Sequence, residues 1–506
     1  MKRWYLGLAV ILSAHLVDAP EKKTKSEEPS AGDIDKQIYS WTHTFGQVLE
    51  LVKNQHYQPD KIDAAYTKAM DAFLAALDPH SGLLDPKAYK LMLESTSGEF
   101  FGVGIVIDNT RKSRDRFLIV VDTIPDGPAD KEGVKPMDKI FEVDGEPVEG
   151  KSTEEVIAMI KGTRGTKVNI KVMREAHQEP ISVDIERDVV KEQSSLSFEI
   201  RDQNIYYLSL SMFSQNAIQQ IENLLKKSKD KQYRGIILDL RNNSGGLLNA
   251  VVEIVGLFLP KGTLVVKTKD KNGKETSKEI TKRPPVTNGQ VPIFILINNY
   301  TASAAEILAG CLKIHSENSD QKKSGNEHPL VFLVGSCTFG KGSVQEVKPI
   351  SNDCAAKVTT SLYYLPGDVS IQGTGIAPDF PIERTLPQSE QMVWFTKHYG
   401  RENTFENYIK APNGVITGNG TCALETEKDK KEKGEKKNGP TRWSERAKEM
   451  LQTDNQLRMT ISLINLFNLY KDSLAEDVAA TRKDAIESME NLIVTAKSLD
   501  IVEVKS

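Results

Sequence analysis

The sequence predicts an α/β protein of several domains, and two observations support this prediction, its length and its hydrophobic periodicity. The chain has 506 residues, which at roughly 150 residues per domain suggests about three domains. Its hydrophobic periodicity is helical near the N-terminus, strand-like from residue 98, and mixed from residue 204, where short apolar runs alternate with helical segments. The formal net charge of −4 leaves no basic surface for phosphate, so no nucleic-acid partner is expected.

The N-terminus has the build of an export signal. Two cationic residues precede a 14-residue apolar run at residues 4–17. This run is shorter than the roughly 20 residues that span a bilayer. Residues 1–19 are therefore expected to be a signal, either cleaved or kept as a membrane anchor, and a buried helix is the alternative. The expected location is therefore outside the cytoplasm.

Residues 34–96 are predicted to form a helical module. Apolar residues recur at three- and four-residue intervals over residues 38–52 and again over residues 64–77, as in two amphipathic helices. Pro and Gly then interrupt the segment LDPHSGLLDP, residues 77–86, which predicts a turn.

Residues 97–190 are predicted to be mostly β. The strand-like runs are VGIVID, RFLIVVDTI, KIFEVDG and TKVNIKVMRE, and between the last two lies one amphipathic segment, STEEVIAMIKG. Ser152 or Thr153 is the expected N-cap of this helix, since Glu155 follows at the spacing of a capping box.

Residues 191–385 are predicted to form an α/β domain with a mainly parallel sheet. Runs such as GIILDL, VPIFILI and LVFLVG are continuously apolar, which is typical of strands buried on both faces. Next, residues 425–437 hold 11 charged residues in 13 and predict a solvated linker over residues 424–440. Two amphipathic helices are expected in residues 441–506, as a cap or docking element.

Two candidate sites lie where a buried strand runs into a helix. Gly245 and Gly246 occupy one such turn, where outward backbone N–H groups at the positive end of a helix are suited to hold an oxyanion. Ser303 lies at the other, which exposes its hydroxyl at the sheet edge beside the N–H of Ala304. The alternatives are an ordinary tight turn at the glycines and a simple N-cap role for Ser303.

Lys341 is the third candidate, in a glycine-rich loop after LVFLVG. Burial disfavours a charged amine, so a lysine in this apolar setting is expected to lose its proton readily and to act as a general base. Gln345, four residues further on, could hydrogen-bond the amine. The alternative for any lysine is a solvent-facing charge. A Walker A phosphate site is disfavoured, because Gly342 stands where that loop needs Ser or Thr.

A serine nucleophile requires a base within hydrogen-bond reach. No histidine follows a buried strand of the α/β domain, so a Ser–Lys pair is favoured. The histidines are His15, His43, His56, His80, His177, His315, His328 and His398. The four cysteines form no CxxC pair, so no metal is expected, and Cys337 with Cys354 is the most plausible disulfide.

Six motifs occur in the order seen in carboxy-terminal processing peptidases, also called tail-specific proteases. They are LDPHSGLLDP, GEFFGVGI, GIILDLRNNSGG, TASAAEI, TFGKGSVQ and YYLPGDVSIQGTGIAPD, and the chain resembles this family over residues 35–385. The resemblance implies an exported, ATP-independent serine endopeptidase without cofactors, located in a bacterial periplasm or cell envelope. It also implies a PDZ domain inserted ahead of a crotonase/ClpP-like α/β core. The implied site residues are the nucleophile Ser303, the base Lys341, the orienting residue Gln345, and an oxyanion hole of N–H groups at Ala304 and Gly245 or Gly246.

The resemblance also implies a peptide-binding loop, formed by Gly102, Val103, Gly104 and Ile105, whose backbone N–H groups capture a terminal carboxylate. A peptide would add as a strand beside the helix STEEVIAMIKG, where apolar side chains favour nonpolar C-termini. The expected partners are therefore proteins or peptides with free nonpolar C-termini. A membrane association through the N-terminus and a homo-oligomer remain open.

Three departures from the family pattern are present. Met137 replaces a glycine that is usual before the aspartate of a PDZ turn, and Ala305 stands where serine is common. Ser303 and Lys341 are 38 residues apart, a long interval whose excess is the polar stretch at residues 315–328, expected to be an exposed loop that could gate the cleft. Two other functions remain open: a catalytically silent PDZ adaptor and an acyl-CoA enzyme with the same core.

Overall fold

The structure is a computed structural model. It describes residues 31–97, 99–107, 117–124, 127–174, 179–191, 193–228, 231–287, 289–319, 328–350, 353–383, 401–405, 407–411, 450–474 and 480–498. The expected export signal at residues 1–19 and the expected linker at residues 424–440 lie outside the described residues. No helix among the described residues is long and apolar enough to cross a membrane.

The helices, in chain order, are α1 (Ala31–Gln55), α2 (Ile62–Ala75), α3 (Pro86–Ser97), α4 (Pro128–Lys131), α5 (Thr153–Ile160), α6 (Gln215–Ser228), α7 (Leu248–Val255), α8 (Ala304–Ser319), α9 (Asn455–Ser473) and α10 (Arg482–Ser498). The strands are β1 (Gly82–Leu84), β2 (Glu99–Gly102), β3 (Ile105–Ile107), β4 (Leu118–Thr123), β5 (Lys139–Val143), β6 (Glu146–Pro147), β7 (Lys167–Met173), β8 (Ile181–Glu186), β9 (Asp188–Lys191), β10 (Ser195–Ile200), β11 (Ile205–Leu210), β12 (Gly235–Asp239), β13 (Leu264–Lys269), β14 (Glu275–Ile280), β15 (Ile293–Ile297), β16 (Val331–Gly335), β17 (Ser343–Pro349), β18 (Ala355–Tyr364) and β19 (Phe380–Pro381).

The chain divides into two units, residues 1–69 and residues 70–506, and the division falls within α2. The first unit contains α1, on which large apolar side chains such as Tyr39 and Trp41 are exposed. The second contains α3.

The predicted β unit is an antiparallel sheet in the order β3-β4-β5-β7-β8, with β6 beside β5. Its helix α5 begins with the expected capping box, because the Ser152 hydroxyl accepts from the Glu155 N–H and the Glu155 carboxylate accepts from the Ser152 N–H. A separate antiparallel pair, β2 and β9, lies where the chain enters and leaves this unit.

The central sheet of the α/β domain has the order β10-β11-β12-β15-β16-β19. The predicted parallel arrangement is confirmed, since every pair except β10 with β11 is parallel. Alternate side chains point to opposite faces. Leu238 and Ile295 pack on the face covered by α6, α7 and α8, whereas Ile237, Phe294 and Phe332 pack on the other face.

The C-terminal helices α9 and α10 cover that second face. Leu457, Ile464 and Phe467 of α9 and Met489 of α10 are buried in the same cluster as the sheet residues. These helices are therefore part of the core of the α/β domain, and the continuously apolar strands need them because both faces must be removed from water.

A second sheet carries the order β1-β18-β13-β14, with β17 paired to β18. The segment at residues 77–86 is therefore not only a turn, because β1 lies inside it and pairs with β18 through Gly82 and Lys357. This pairing brings the LDPHSG segment, residues 77–82, next to the strand hairpin that follows Lys341.

Two further expectations are wrong, the second of them only for residues 315–319, since residues 320–327 lie outside the described residues. Cys354 is free, whereas Cys337 is disulfide-bonded, so the two do not pair with each other. The polar stretch at residues 315–328 does not begin as an exposed loop, because α8 continues to Ser319. Within it, His315 Nε2 lies 2.7 Å from the Leu264 carbonyl oxygen, and the Ser316 hydroxyl accepts from the Val331 N–H at 2.9 Å.

Candidate active site

Ser303 lies immediately before α8, in the left-handed backbone conformation with φ of 55°. A non-glycine residue in this region is strained, and such residues concentrate at functional sites. The Ser303 hydroxyl makes no hydrogen bond to any described residue, so it does not cap the helix. The simple N-cap alternative is therefore wrong.

Lys341 lies in the loop between β16 and β17, and its side chain is half-buried. Burial lowers the pKa of the amine, and the positive charge of Lys357 lowers it further, whereas the carboxylates of Glu402, Glu306 and Asp78 raise it; the resulting pKa is about 8. The Nζ atom forms no hydrogen bond or ion pair within the described part of the chain. With this pKa, about one amine in eleven is neutral at pH 7.

Glu306 joins the backbone of Ser303 to the backbone of Lys341. Its Oε2 accepts from the Ser303 N–H at 2.8 Å and from the Lys341 N–H at 2.9 Å. Its Oε1 accepts from the Thr338 hydroxyl at 2.5 Å and from the Gly340 N–H at 2.8 Å. Because one oxygen atom accepts from both N–H groups, the distance between the two backbone nitrogens cannot exceed the sum of the 2.8 Å and 2.9 Å hydrogen-bond distances. A lysine side chain is long enough to reach the Ser303 hydroxyl across such a gap.

The carboxyl group of Glu306 is fully buried. Burial raises its pKa, and the hydrogen bonds from Thr338, Gly340, Ser303 and Lys341 lower it, so that it stands at about 7. All four neighbours are donors, and an ionised carboxylate suits them because it only accepts.

Tyr363 makes a second connection between the two loops. Its hydroxyl lies within hydrogen-bond distance of the carbonyl oxygens of both Ser303 and Lys341. The side chain is buried. The hydroxyl therefore lies between the two backbones, where its single proton can be donated to either carbonyl oxygen.

Side chains that follow Lys341 in the chain also fix the position of its loop. The Gly342 N–H donates to Gln372 Oε1 at 2.6 Å, and Gln372 Nε2 donates to the buried Glu402 carboxylate at 2.9 Å. Glu402 also lies 2.6 Å from His80 Nε2, in the LDPHSG segment. Segments distant in sequence thus surround the lysine.

The structure separates the two glycines that sequence reasoning left as equivalent. The Gly245 N–H donates to Asn243 Oδ1 at 2.9 Å and is occupied. The Gly246 N–H and the Ala304 N–H have no acceptor among the described residues. A Cβ added to Gly245 would lie 2.8 Å from Ser303 Cβ and 3.0 Å from the Ala304 nitrogen. Gly245 is thus needed for the close approach of this turn to Ser303, and Gly246 is the better candidate donor.

Gln345 does not bond to Lys341 in this structure. Its amide nitrogen donates to the Ser343 hydroxyl at 2.9 Å and to the Thr359 hydroxyl at 3.1 Å. The Thr359 hydroxyl in turn donates to Asp78 Oδ1 at 3.0 Å. The expected contact between Gln345 and the amine is therefore absent, and a short hydrogen-bonded chain occupies the amide instead.

The predicted peptide-binding loop lies between β2 and β3. Val103 and Gly104 are buried, with φ of 75° at Gly104, and their N–H groups have no acceptor among the described residues. The Val103 and Gly104 carbonyl oxygens accept instead from Ala129 and Ile124. Gly102 ends β2 and Ile105 begins β3. This loop is not in hydrogen-bonded contact with the Ser303 site.

Sequence reasoning missed Glu306, Tyr363, Thr359 and Asp78. A signal for Glu306 was present: it follows Ser303 by three residues, the same spacing that located Ser152 and Glu155. Asp78 and Tyr363 lie inside two of the motifs that carry the family resemblance, but those motifs gave them no role, and Thr359 lies outside all six motifs. No group of three or more His, Cys, Asp or Glu side chains among the described residues is arranged to hold a metal ion.

Comparisons with known proteins identify the class of this protein. Residues 204–382 match peptidase family S41, and residues 90–173 match the PDZ domain. The carboxy-terminal-processing protease of Bartonella bacilliformis is 31% identical over 82% of this chain and 89% of that protein. The carboxy-terminal processing protease CtpA of Bacillus subtilis is 32% identical over 67% of this chain and 68% of that protein. The photosystem II D1 C-terminal processing protease, a solved structure, is 26% identical over 63% of this chain and 82% of that chain, with a TM-score of 0.37.

The chain therefore belongs to the carboxy-terminal processing proteases of peptidase family S41, and it is a serine peptidase with a PDZ domain.

Proposed function

We propose that this serine peptidase hydrolyses peptide bonds with a Ser303–Lys341 dyad and selects proteins by their nonpolar C-termini. The supporting observation is the shared Glu306 oxygen that binds the N–H groups of both residues, next to a lysine amine that has no hydrogen-bond or ion-pair partner among the described residues. The proposal includes a crotonase/ClpP-like core at residues 191–385 that acts without ATP or a cofactor.

The first half of the reaction forms an acyl-enzyme. The neutral Lys341 amine takes the Ser303 hydroxyl proton as the oxygen attacks the scissile carbonyl carbon. The N–H groups of Ala304 and Gly246 stabilise the negative charge that develops on the carbonyl oxygen. The carbon–nitrogen bond then breaks, and the Lys341 ammonium returns its proton to the leaving amine.

The second half restores the enzyme. Lys341, neutral again, takes a proton from water, and the resulting hydroxide attacks the ester carbon. The carbon–oxygen bond to Ser303 breaks, and the ammonium reprotonates the serine. One peptide bond and one water are consumed, and a new carboxylate and a new amine are formed.

Substrate selection is assigned to the PDZ domain. The N–H groups of Val103 and Gly104 are proposed to bind the terminal carboxylate, assisted by the neighbouring Gly102 and Ile105, while the chain adds as a strand beside α5. We further propose that residues 1–19 direct the protein to the cell envelope, where unfolded protein tails would be its substrates.

The test is cleavage of an unstructured protein with an apolar C-terminus, followed by mass spectrometry. Ser303→Ala and Lys341→Ala are each expected to lose at least about a thousandfold in turnover, because members of one catalytic unit fail together. The control is Lys348→Ala, an exposed lysine of β17 that pairs with Glu346 at 3.2 Å, which should cleave normally.

Labelling by a serine-reactive phosphonate separates this enzyme from a silent adaptor, because an adaptor would bind the tail but remain unlabelled at Ser303. Wild-type cleavage by Lys341→Ala would remove the lysine from the mechanism.

A further inference from the structure

The LDPHSG segment contains a buried carboxylate that the proposed reaction does not use. Asp78 is 4% exposed. Its Oδ1 accepts from the His80 and Ser81 N–H groups and from the Thr359 hydroxyl, and its Oδ2 accepts from the Ser81 hydroxyl at 2.6 Å. Burial alone would raise the pKa of Asp78, but these hydrogen bonds outweigh it and hold the pKa below 3.8. Asp78 is therefore a carboxylate, which only accepts hydrogen bonds.

The charge of Asp78 determines which way the Thr359 hydroxyl points. A hydroxyl has one proton, and at 3.0 Å from a carboxylate oxygen that proton is donated to Asp78. The oxygen of Thr359 is then left as an acceptor. Gln345 must consequently turn its NH2 group, rather than its carbonyl oxygen, toward Thr359.

The remaining hydrogen of that NH2 group goes to the Ser343 hydroxyl at 2.9 Å. Both amide hydrogens of Gln345 are therefore used, and its Oε1 is the atom left without a hydrogen bond among the described residues. The reversed amide would place an oxygen against Thr359, whose only proton is already engaged. Such flips are normally ambiguous, but here the count of protons decides the orientation.

We propose that Thr359, held by Asp78, is a positioning residue that fixes the Gln345 amide so that its carbonyl oxygen is presented to the Lys341 amine during the reaction. The proposal rests on the function proposed above. A base must direct its lone pair at the Ser303 hydroxyl, so its own N–H groups need acceptors elsewhere. A carbonyl oxygen supplies one, whereas an NH2 group in its place would donate to that lone pair and block it.

The proposal assigns a role to the LDPHSG segment, whose Asp78 lies 281 residues before Thr359 in the chain. It reaches the site because β1 pairs with β18, and the Ser81 hydroxyl accepts from the Thr359 N–H at 3.1 Å. The negative charge of Asp78 also raises the pKa of the Lys341 amine.

The first experiment compares Thr359→Val with Thr359→Ser in the full chain. Valine has the shape of threonine without the hydroxyl, and we expect kcat to fall about tenfold or more with KM within about twofold, because orientation and not binding is lost. Serine keeps the hydroxyl and should restore kcat to within about twofold. Thr360→Val is the matched control: its hydroxyl donates to the exposed Glu346 at 3.1 Å, and its removal should leave kcat unchanged.

The second experiment repeats Thr359→Val in a Gln345→Ala background. If Thr359 acts through Gln345, the double variant should be no slower than Gln345→Ala alone. A general loss of stability would instead slow both backgrounds by the same factor. Should Thr359→Val fail to fold, Thr359→Ala carries the same cycle.

The outcomes separate the two proposals. Full activity in Ser303→Ala would contradict the proposed function itself. An inactive Ser303→Ala together with a Thr359→Val of normal kcat, or with additive losses in the Gln345→Ala background, would leave the dyad intact and overturn the positioning role.

Discussion

The pKa of Lys341, about 8, predicts how the rate of this peptidase depends on pH. The base must be neutral to accept the serine proton, so activity follows the deprotonated fraction of the amine. That fraction is about one in a hundred at pH 6, one in eleven at pH 7, one half at pH 8 and ten in eleven at pH 9. We therefore expect kcat/KM to rise at least about tenfold from pH 7 to pH 9.

The sign of this dependence follows from its cause. Burial and the charge of Lys357 both disfavour the ammonium, which places the rise below the ordinary lysine value of 10.5. Glu306, with a pKa of about 7, steepens the decline on the acidic side, because a protonated Glu306 can no longer accept from all four of its donors.

The assay is the initial rate of cleavage of a peptide with a nonpolar C-terminus, at substrate concentrations well below KM, between pH 6 and pH 10. Removing the like charge with Lys357→Gln should raise the pKa of Lys341 and move the midpoint to higher pH. Lys348→Gln, on the exposed strand β17, should not move it. A rate that is flat from pH 7 to pH 9, or a midpoint at 10.5 in the wild type, would refute the lowered pKa or the role of Lys341 as base.

Three further changes test the architecture. Glu306→Gln places an NH2 group among four donors and should lower kcat about a hundredfold, because the loops of Ser303 and Lys341 would separate. A normal kcat in steady-state kinetics would contradict this. Met137→Gly should raise the free energy of unfolding by about 0.5–1 kcal/mol, because glycine adopts the φ of 72° without strain and the Met137 side chain, 48% exposed, loses little packing. An unchanged midpoint of urea unfolding would indicate that the turn is unstrained. Ile464→Ala should lower that free energy by about 2–4 kcal/mol, since Ile464 is fully buried against the central sheet; a loss below 1 kcal/mol would mean that α9 is not part of the core.

The elements of the fold that were predictable are those with a local signal. Continuous apolar runs identified the buried strands β12, β15 and β16, and the capping-box spacing identified the start of α5. Met137 was recognised as unusual in its turn, and its positive φ supplies the physical reason. Periodicity and caps act over a few residues, so one sequence is sufficient to detect them.

The elements that were missed depend on contacts with distant residues. The apolar faces of α9 and α10 indicated a cap or docking element, but not that these helices complete the central core. The strand β1 has only three residues, and it exists because β18 pairs with it. Propensity is too weak to predict such a strand without its partner.

The amino-acid order alone determined where strands give way to loops and helices, and therefore which serine and lysine stand at the edge of one sheet. Only the folded chain decided that Glu306 binds the N–H groups of Ser303 and Lys341, and that Thr359 donates to Asp78. It also decided that the N–H of Gly246, and not that of Gly245, lacks an acceptor among the described residues. The reason is physical: a hydrogen bond depends on distances of about 3 Å and on which proton is already engaged. Both are settled when the sheets assemble.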